Sequence, residues 1–199
     1  MRIGVLALQG DFREHIQVLS ELGVEGIEVR RPEQLDALDG VIIPGGESTT
    51  IRMLMREVCL ETALRDRIAR GFPVLGTCAG LIVLADRVDG KVVEGLNALD
   101  VDVRRNAFGR QVDSFEDDLA VPTFGDDPVH AVFIRAPIVA AVDDDVEVLA
   151  RLSDGRIVGV RQGSVVGLAF HPEMTQDRRF HQYFLDLVAA REPGSSAEG

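Results

Sequence analysis

Three features of the 199-residue chain predict an α/β fold, a three-layer αβα sandwich whose central sheet is mostly parallel and carries an antiparallel extension. Unbroken apolar runs recur through the first half, as in strands buried on both faces. Helical patterns separate them, which is the signature of consecutive βαβ units. One run, Pro73 to Thr77, breaks at Gly76-Thr77-Cys78-Ala79-Gly80 and continues as an apolar helix, the geometry of a nucleophile elbow.

The elements follow in order. Ile3 to Leu8 is a first buried strand ending at Gln9-Gly10. Phe12 to Leu22 sets Phe12, Ile16, Leu19 and Leu22 on one helical face, and Gly23 stops it. Val24 to Val29 is a second strand, Pro32 opens a helical turn reaching Leu38, and Gly40 to Pro44 is a third strand. After Pro44-Gly45-Gly46-Glu47-Ser48-Thr49-Thr50, helical spacing resumes at Ile51, with Ser48 or Thr49 as its candidate cap. Leu60 to Arg70 is a further helix closed by Gly71, with Cys59 at its start as a core or half-buried thiol. The helix after the elbow is expected to run on to about Arg87. Beyond Lys91 the pattern changes to short runs, Val101–Arg104, Val129–Ile134, Val146–Leu152, Arg156–Arg161 and Val165–Phe170, set apart by turn residues. A last amphipathic helix buries Phe180, Phe184, Leu187 and Val188. Residues 1–191 are expected to form one domain, and residues 192–199, rich in small and polar types, a disordered tail.

Composition narrows the function. A net charge of −12 opposes a general nucleic-acid binder and docking on an anionic membrane. Two cysteines make no disulfide framework, and no Cys/His cluster has zinc spacing, so a reducing, cytoplasmic setting without a metal or other cofactor is expected. No apolar run approaches the roughly 18 residues of a membrane span, and the first residues lack a signal-peptide pattern.

The chemistry gathers at three strand ends. A tight strand-to-helix turn lifts Cys78 clear of the sheet and sets it at the positive end of the following helix, which favours a thiolate. His171 leaves another strand at the corresponding end and could move the protons of a thiol reaction. Glu173 could accept its second ring N–H and hold one tautomer. An elbow enzyme draws its oxyanion hole from the N–H after the nucleophile and from the loop after an earlier strand, here Ala79 and Gly46. A phosphate loop is disfavoured, since no Gly-Lys-Ser/Thr follows the glycine pair. His15, His130 and His181 have no acidic or thiol neighbours in an arrangement that suggests catalysis and read as structural, although His15 ends the Arg13-Glu14-His15 block.

Pro44-Gly45-Gly46-Glu47-Ser48, Gly76-Thr77-Cys78-Ala79-Gly80 and His171-Pro172-Glu173 together resemble the class I, triad glutamine amidotransferases, whose fold is flavodoxin-like. Leu6-Ala7-Leu8-Gln9-Gly10, Arg13-Glu14-His15, Glu47-Ser48-Thr49-Thr50, the block from Arg104 to Phe115 with Arg105-Asn106-Ala107-Phe108-Gly109, and Phe133-Ile134-Arg135-Ala136-Pro137 narrow this to resemblance with the glutaminase subunits of pyridoxal 5'-phosphate synthase. The blocks cover nearly the whole chain. The resemblance implies that Cys78 attacks the side-chain amide of L-glutamine, that His171 protonates departing ammonia, and that water releases glutamate from a thioester. It further implies substrate contacts from Gly46, Glu47, Ser48, Arg105, Ile134 and Arg135. On residue grounds alone Arg105 and Arg135 read as surface charges before they read as ligands, although a guanidinium fork suits an α-carboxylate. The implied partner is the (β/α)8 barrel synthase subunit, which takes up the ammonia within a large mixed assembly of twelve copies of each subunit. Gln9-Gly10, at the same sheet edge, is expected to help set the oxyanion loop when that partner docks.

Two other readings stand beside this one. Thiol hydrolases or chaperones with an elbow cysteine share the architecture, but give no reason for His171-Pro172-Glu173 or the Arg105 block. A non-catalytic docking subunit would have no need of Cys78, His171 and Glu173 together.

Overall fold

The computed structural model describes residues 1–108 and 114–191. The sheet is built from β1 (Arg2–Leu6), β2 (Glu25–Val29), β3 (Gly40–Ile43), β4 (Val74–Thr77), β5 (Ala85–Val88), β6 (Lys91–Val92), β7 (Leu99–Arg104), β10 (Ile138–Val142), β11 (Glu147–Arg151), β12 (Ile157–Gln162) and β13 (Val165–Leu168). A separate hairpin pairs β8 (Ser114–Leu119) with β9 (Val129–Ile134). The helices are α1 (Phe12–Glu21), α2 (Ser48–Glu57), α3 (Leu60–Ile68), α4 (Ala79–Leu84) and α5 (Arg179–Ala190).

The strand order is β2-β1-β3-β4-β13-β12-β10-β7-β5-β6, with β11 off this path and paired antiparallel with β12. The five strands from β2 to β13 run parallel. Their residues are almost wholly apolar because helices cover both faces: Ile3, Val5, Val41, Ile42, Ile43, Val74, Leu75, Val166 and Leu168 are all buried. From β12 onward the pairing is antiparallel, apart from β5 against β7. The parallel core with its antiparallel extension is the architecture expected from the sequence.

The register places the chemistry. Thr77 pairs with Leu168, and the Cys78 N–H prolongs the ladder with a 2.8 Å hydrogen bond to the Leu168 carbonyl. Cys78 therefore leaves the sheet beside the segment that reaches His171 three residues later. On its other side Ile43 pairs with Gly76, so the Pro44-Gly45-Gly46 loop flanks the elbow. Strand order reverses at β1, making the crevice beyond its carboxyl end the expected ligand position in such a sheet.

Four expectations are corrected. α4 stops at Leu84, and Ala85–Val88 is a strand, because β5 finds an edge to pair with in β7. β8 and β10 went unread, the first because Ser114-Phe115-Glu116-Asp117-Asp118-Leu119 is acidic on its exposed face, the second because Pro137 directly before it reads as a turn. The cap of α2 is neither Ser48 nor Thr49 but Glu47, whose carboxylate accepts from the Thr49 and Thr50 N–H groups at 3.1 and 2.7 Å. Cys59 is exposed rather than half-buried, because it is the left-handed residue that turns α2 into α3. The segment 109–113 of the Arg104–Phe115 block and the tail at 192–199 lie outside the described residues.

Candidate active site

A cavity of about 580 Å³ opens at the carboxyl ends of β1, β3, β4 and β13. Gln9, Gly10, Asp11, Gly46, Glu47, Ser48, Cys78, Ala79, Arg105, Ile134, Arg135 and His171 line it. Of the sequence-predicted site residues, only Glu173 lies outside the lining, and it stands directly behind His171.

The elbow holds Cys78 at φ 48°, ψ −103°, outside the ordinary regions for an L-residue. Compression of the turn explains the glycine at position 80, where a Cβ would sit 2.1 Å from the Ile43 carbonyl oxygen. Strain concentrates here: Cys78, Asn106 and Arg135, all lining the cavity, belong to the small set of non-glycine residues with positive φ. Ala79 is the first residue of α4, so its N–H has no carbonyl one turn back within the helix.

His171 is buried, with Nδ1 2.7 Å from Glu173 Oε1 and 3.9 Å from Asp11 Oδ2. Its backbone N–H donates to the Val132 carbonyl at 2.9 Å, tying the base to the β8–β9 hairpin and bringing Ile134 and Arg135 over the crevice. Gly45 must lack a side chain because a Cβ would lie 2.5 Å from His171 Cε1. With Nδ1 engaged by Glu173, Nε2 is the nitrogen left for the thiol. Burial works against a charged imidazole, but the neighbouring Cys78 and Glu173 outweigh it and push the His171 pKa up to about 10. Burial likewise opposes an ionised Glu173, yet the neighbouring imidazoles hold its carboxyl below the usual range. The raised value favours the imidazolium form of His171, which shares the cavity with Cys78, whose Sγ is 3.8 Å from the Ile134 carbonyl oxygen.

The glycine loop is held from β1. Gln9 Oε1 accepts the Glu47 N–H at 2.8 Å, and Gly46, at φ 152°, passes close enough that a Cβ there would meet the same oxygen at 2.5 Å. Because the Glu47 carboxylate is spent on capping α2, Glu47 offers the cavity its backbone rather than its charge. Arg105 is half exposed and Nε is 2.8 Å from Asp89 Oδ2, an arrangement that aims the guanidinium along the cavity rim.

Asp11 was missed, and so was the true setting of His15 and His181. Asp11 follows the Gln9-Gly10 turn at the end of β1, where any polar side chain faces the crevice; burial raises its pKa and His171 opposes the shift. His15 lies three residues after Phe12 and four before Leu19, and His181 three before Phe184, so both occupy apolar-face positions of their helices. An ionisable group there was the available signal. His130 is also acid-flanked, 2.8 Å from Asp118 and 3.0 Å from Glu116 across the hairpin, which raises its pKa far from the cavity.

Asp11, His171 and Glu173 bring three metal-ligand-type atoms within 4.8 Å of one another. His171 Nδ1 is committed to the Glu173 hydrogen bond, so the trio fits an ion pair with a nearby carboxylate rather than a metal cage. No helix among the described residues is long and apolar enough to cross a membrane.

The family model described as SNO glutamine amidotransferase family matches residues 5–190. This chain belongs to that family. Within it, the chain is 57% identical over 192 residues to pyridoxal 5'-phosphate synthase subunit PdxT of Leifsonia xyli subsp. xyli, covering 96% of this chain and 97% of the relative. It is 54% identical over 188 residues to the PdxT subunit of Carboxydothermus hydrogenoformans, covering 94% and 98%. Among solved structures, one titled as a glutamine amidotransferase superposes with a TM-score of 0.88 at 52% identity over 94% of this chain and 98% of that one. The fold alone extends to the PurLQS structure from Thermotoga maritima, at a TM-score of 0.68 and 22% identity, covering 93% and 97%. A glutamine amidotransferase fold is therefore the architecture of this chain, and the elbow cysteine sits in the crevice that the fold provides.

Proposed function

We propose that the chain is the glutaminase subunit of a pyridoxal 5'-phosphate synthase, hydrolysing L-glutamine to glutamate and ammonia with Cys78, His171 and Glu173 as its triad. The observation that carries this is that the elbow cysteine Cys78 and the buried His171, itself held 2.7 Å from Glu173 Oε1, line one and the same cavity.

The steps use what the cavity holds. Cys78 Sγ, as the thiolate whose proton His171 has taken, attacks the side-chain amide carbon, and the carbonyl oxygen, now carrying negative charge, meets the N–H groups of Gly46 and Ala79. One such donor is typically worth about 2.7 to 4 kcal/mol in the transition state. As the C–N bond breaks, the proton stored on His171 passes to nitrogen and ammonia leaves. His171, now neutral, takes a proton from water, which attacks the thioester; the C–S bond breaks and glutamate departs. Glu173 steadies the imidazolium throughout. Gly46, Glu47, Ser48 and Ile134 present backbone and small groups to the substrate, while Arg105 and Arg135 on the rim suit its α-carboxylate.

Ammonia is then consumed by a barrel-type synthase subunit in a mixed assembly, within the cytoplasm, and the Gln9 clamp on the Glu47 N–H gives docking a lever on the oxyanion loop. The test is glutamate release from purified chain with and without the synthase subunit. Cys78→Ala is expected to lose more than about 10³-fold in kcat, and Gln9→Ala to lose most of the synthase stimulation. Release that persists in Cys78→Ala removes the nucleophile, and release indifferent to the synthase removes the assigned complex.

A further inference from the structure

Behind Glu173 lies a second set of ionisable groups that the hydrolytic steps leave unused. His15 on α1 and His181 on α5 are both fully buried, and neither lines the cavity. His15 Nδ1 is 3.0 Å from His181 Nε2, while His15 Nε2 is 3.2 Å from Thr77 Oγ1 and 3.4 Å from Glu173 Oε2. Among the described residues, Glu173 Oε2 and His181 Nδ1 have no hydrogen-bond partner of normal geometry.

These distances select one tautomer for each ring. If His15 carried its hydrogen on Nδ1, the lone pair of Nε2 would face a carboxylate oxygen, and His181 would have to carry a buried, unpartnered N–H on Nδ1. Both are costly. With the hydrogen on His15 Nε2, that N–H reaches Thr77 Oγ1 at 3.2 Å with Glu173 Oε2 3.4 Å away, Nδ1 accepts from His181 Nε2–H, and His181 Nδ1 is left with a bare lone pair rather than an unpartnered N–H. The chain then runs one way, from α5 through α1 to the triad carboxylate. Two neutral rings are required, and burial supplies them: it pushes His15 down and His181 down to about 3.

We propose that His15 and His181 are positioning residues, a one-way chain of neutral imidazoles that fixes the free oxygen of Glu173 so that its other oxygen grips His171. This deepens the glutaminase reading above and rests on it. Thr77, the residue before the nucleophile, shares the His15 N–H, so one donor touches both arms of the triad. A carboxylate held at one oxygen only can rotate away from the imidazole; held near both, it keeps His171 aimed at Cys78.

The charged and titratable groups that bear on these rings are Glu173, His171, Asp11, Glu14 and Arg178, besides the two histidines themselves. The experiment measures kcat, KM and the pH dependence of iodoacetamide inactivation of the Cys78 thiol in paired variants. Glutamine mimics a donor at Nε2 and asparagine one at Nδ1. His15→Asn is expected to lose about tenfold in kcat with little change in KM, and its inactivation curve to move about one pH unit upward, which is tenfold in reactive thiol on the acid limb. His15→Gln is expected to recover most of both, and His181→Asn against His181→Gln to repeat the pattern with a smaller amplitude. Equal behaviour of the Gln and Asn variants, or a fall in melting temperature with an unmoved inactivation curve, overturns the chain and leaves the histidines as packing. Should the His15 variants fail to fold, the His181 pair decides, because His181 reaches Glu173 only through His15. Cys78→Ala run in parallel separates the two ideas: glutamate release there defeats the Cys78 triad on which the glutaminase mechanism rests, whereas a flat His15 and His181 series defeats only the positioning role.

Discussion

The two cysteines occupy the same kind of junction and meet opposite fates. Each precedes a helix with positive φ, 60° at Cys59 and 48° at Cys78. Cys59 has ordinary left-handed angles, φ 60° and ψ 17°, and is exposed between α2 and α3. Cys78 has ψ −103°, is 8% exposed, and is overdetermined by β13 on one side, the glycine loop on another and His171 across the crevice. Positive φ alone is thus a turn-making device. It becomes a catalytic device where packing can enforce a conformation the residue would otherwise leave.

Glycine placed at both junctions gives the largest contrast. Cys78→Gly removes the proposed nucleophile and is expected to release no measurable glutamate, whereas Cys59→Gly should keep the wild-type rate. Gly45→Ala comes next: its Cβ would press on His171 Cε1, and displacing that ring by about 1 Å is expected to cost about 10²-fold in kcat. Gly71→Ala, after α3, has a positive φ and nothing within 4 Å, so it should lose only about 1 kcal/mol of stability with activity intact. An activity loss at Gly71 equal to that at Gly45 would erase the distinction between the two junctions.

The next contrast is in pH. The folded-state value of His171 is raised from 6.5 to about 10, so its contribution to stability is complete below about pH 6.5 and disappears as pH rises through 10. Urea unfolding of wild type against His171→Asn is expected to show a difference that shrinks by up to about 1.4 kcal/mol per pH unit over that window. His181 is depressed to about 3, so its contribution is present above 6.5 and is lost as pH falls through 3. His181→Gln should therefore flatten the acid limb of the unfolding curve, by up to about 1.4 kcal/mol per pH unit. The smallest effect is at the exposed cysteine, where Cys59→Gly relieves left-handed strain and should add about 1 kcal/mol, read as a higher melting temperature.

What could be read without coordinates divides along the same line. The parallel half was legible because strands buried on both faces have continuous apolar runs, as in Ile3 to Leu6 and Val41 to Ile43, and because an elbow needs glycines at fixed offsets. Cys78, His171, Glu173, Gly46 and Ala79 could be named because chain ends of such strands converge. The antiparallel half was harder. β8 exposes one face and carries acidic residues there, and Ala85–Val88 reads equally as helix until β7 is available beside it. Asp11 and the His15–His181 contact depend on which helix face meets the sheet beneath a residue 166 positions away. Local sequence carries no record of such a meeting. Cys59 was misjudged because amphipathic spacing says which side of a helix is buried and nothing about the turn that precedes it.

The insertion of β13 between β4 and β12 has a consequence for the growing polypeptide. A ribosome-bound chain that has emitted the elbow still lacks the strand that closes the middle of its sheet, and the imidazole travels with that strand. Synthesis therefore delivers the elbow thiol before the imidazole proposed to serve it, so the two can meet only once β13 has been translated and threaded between β4 and β12.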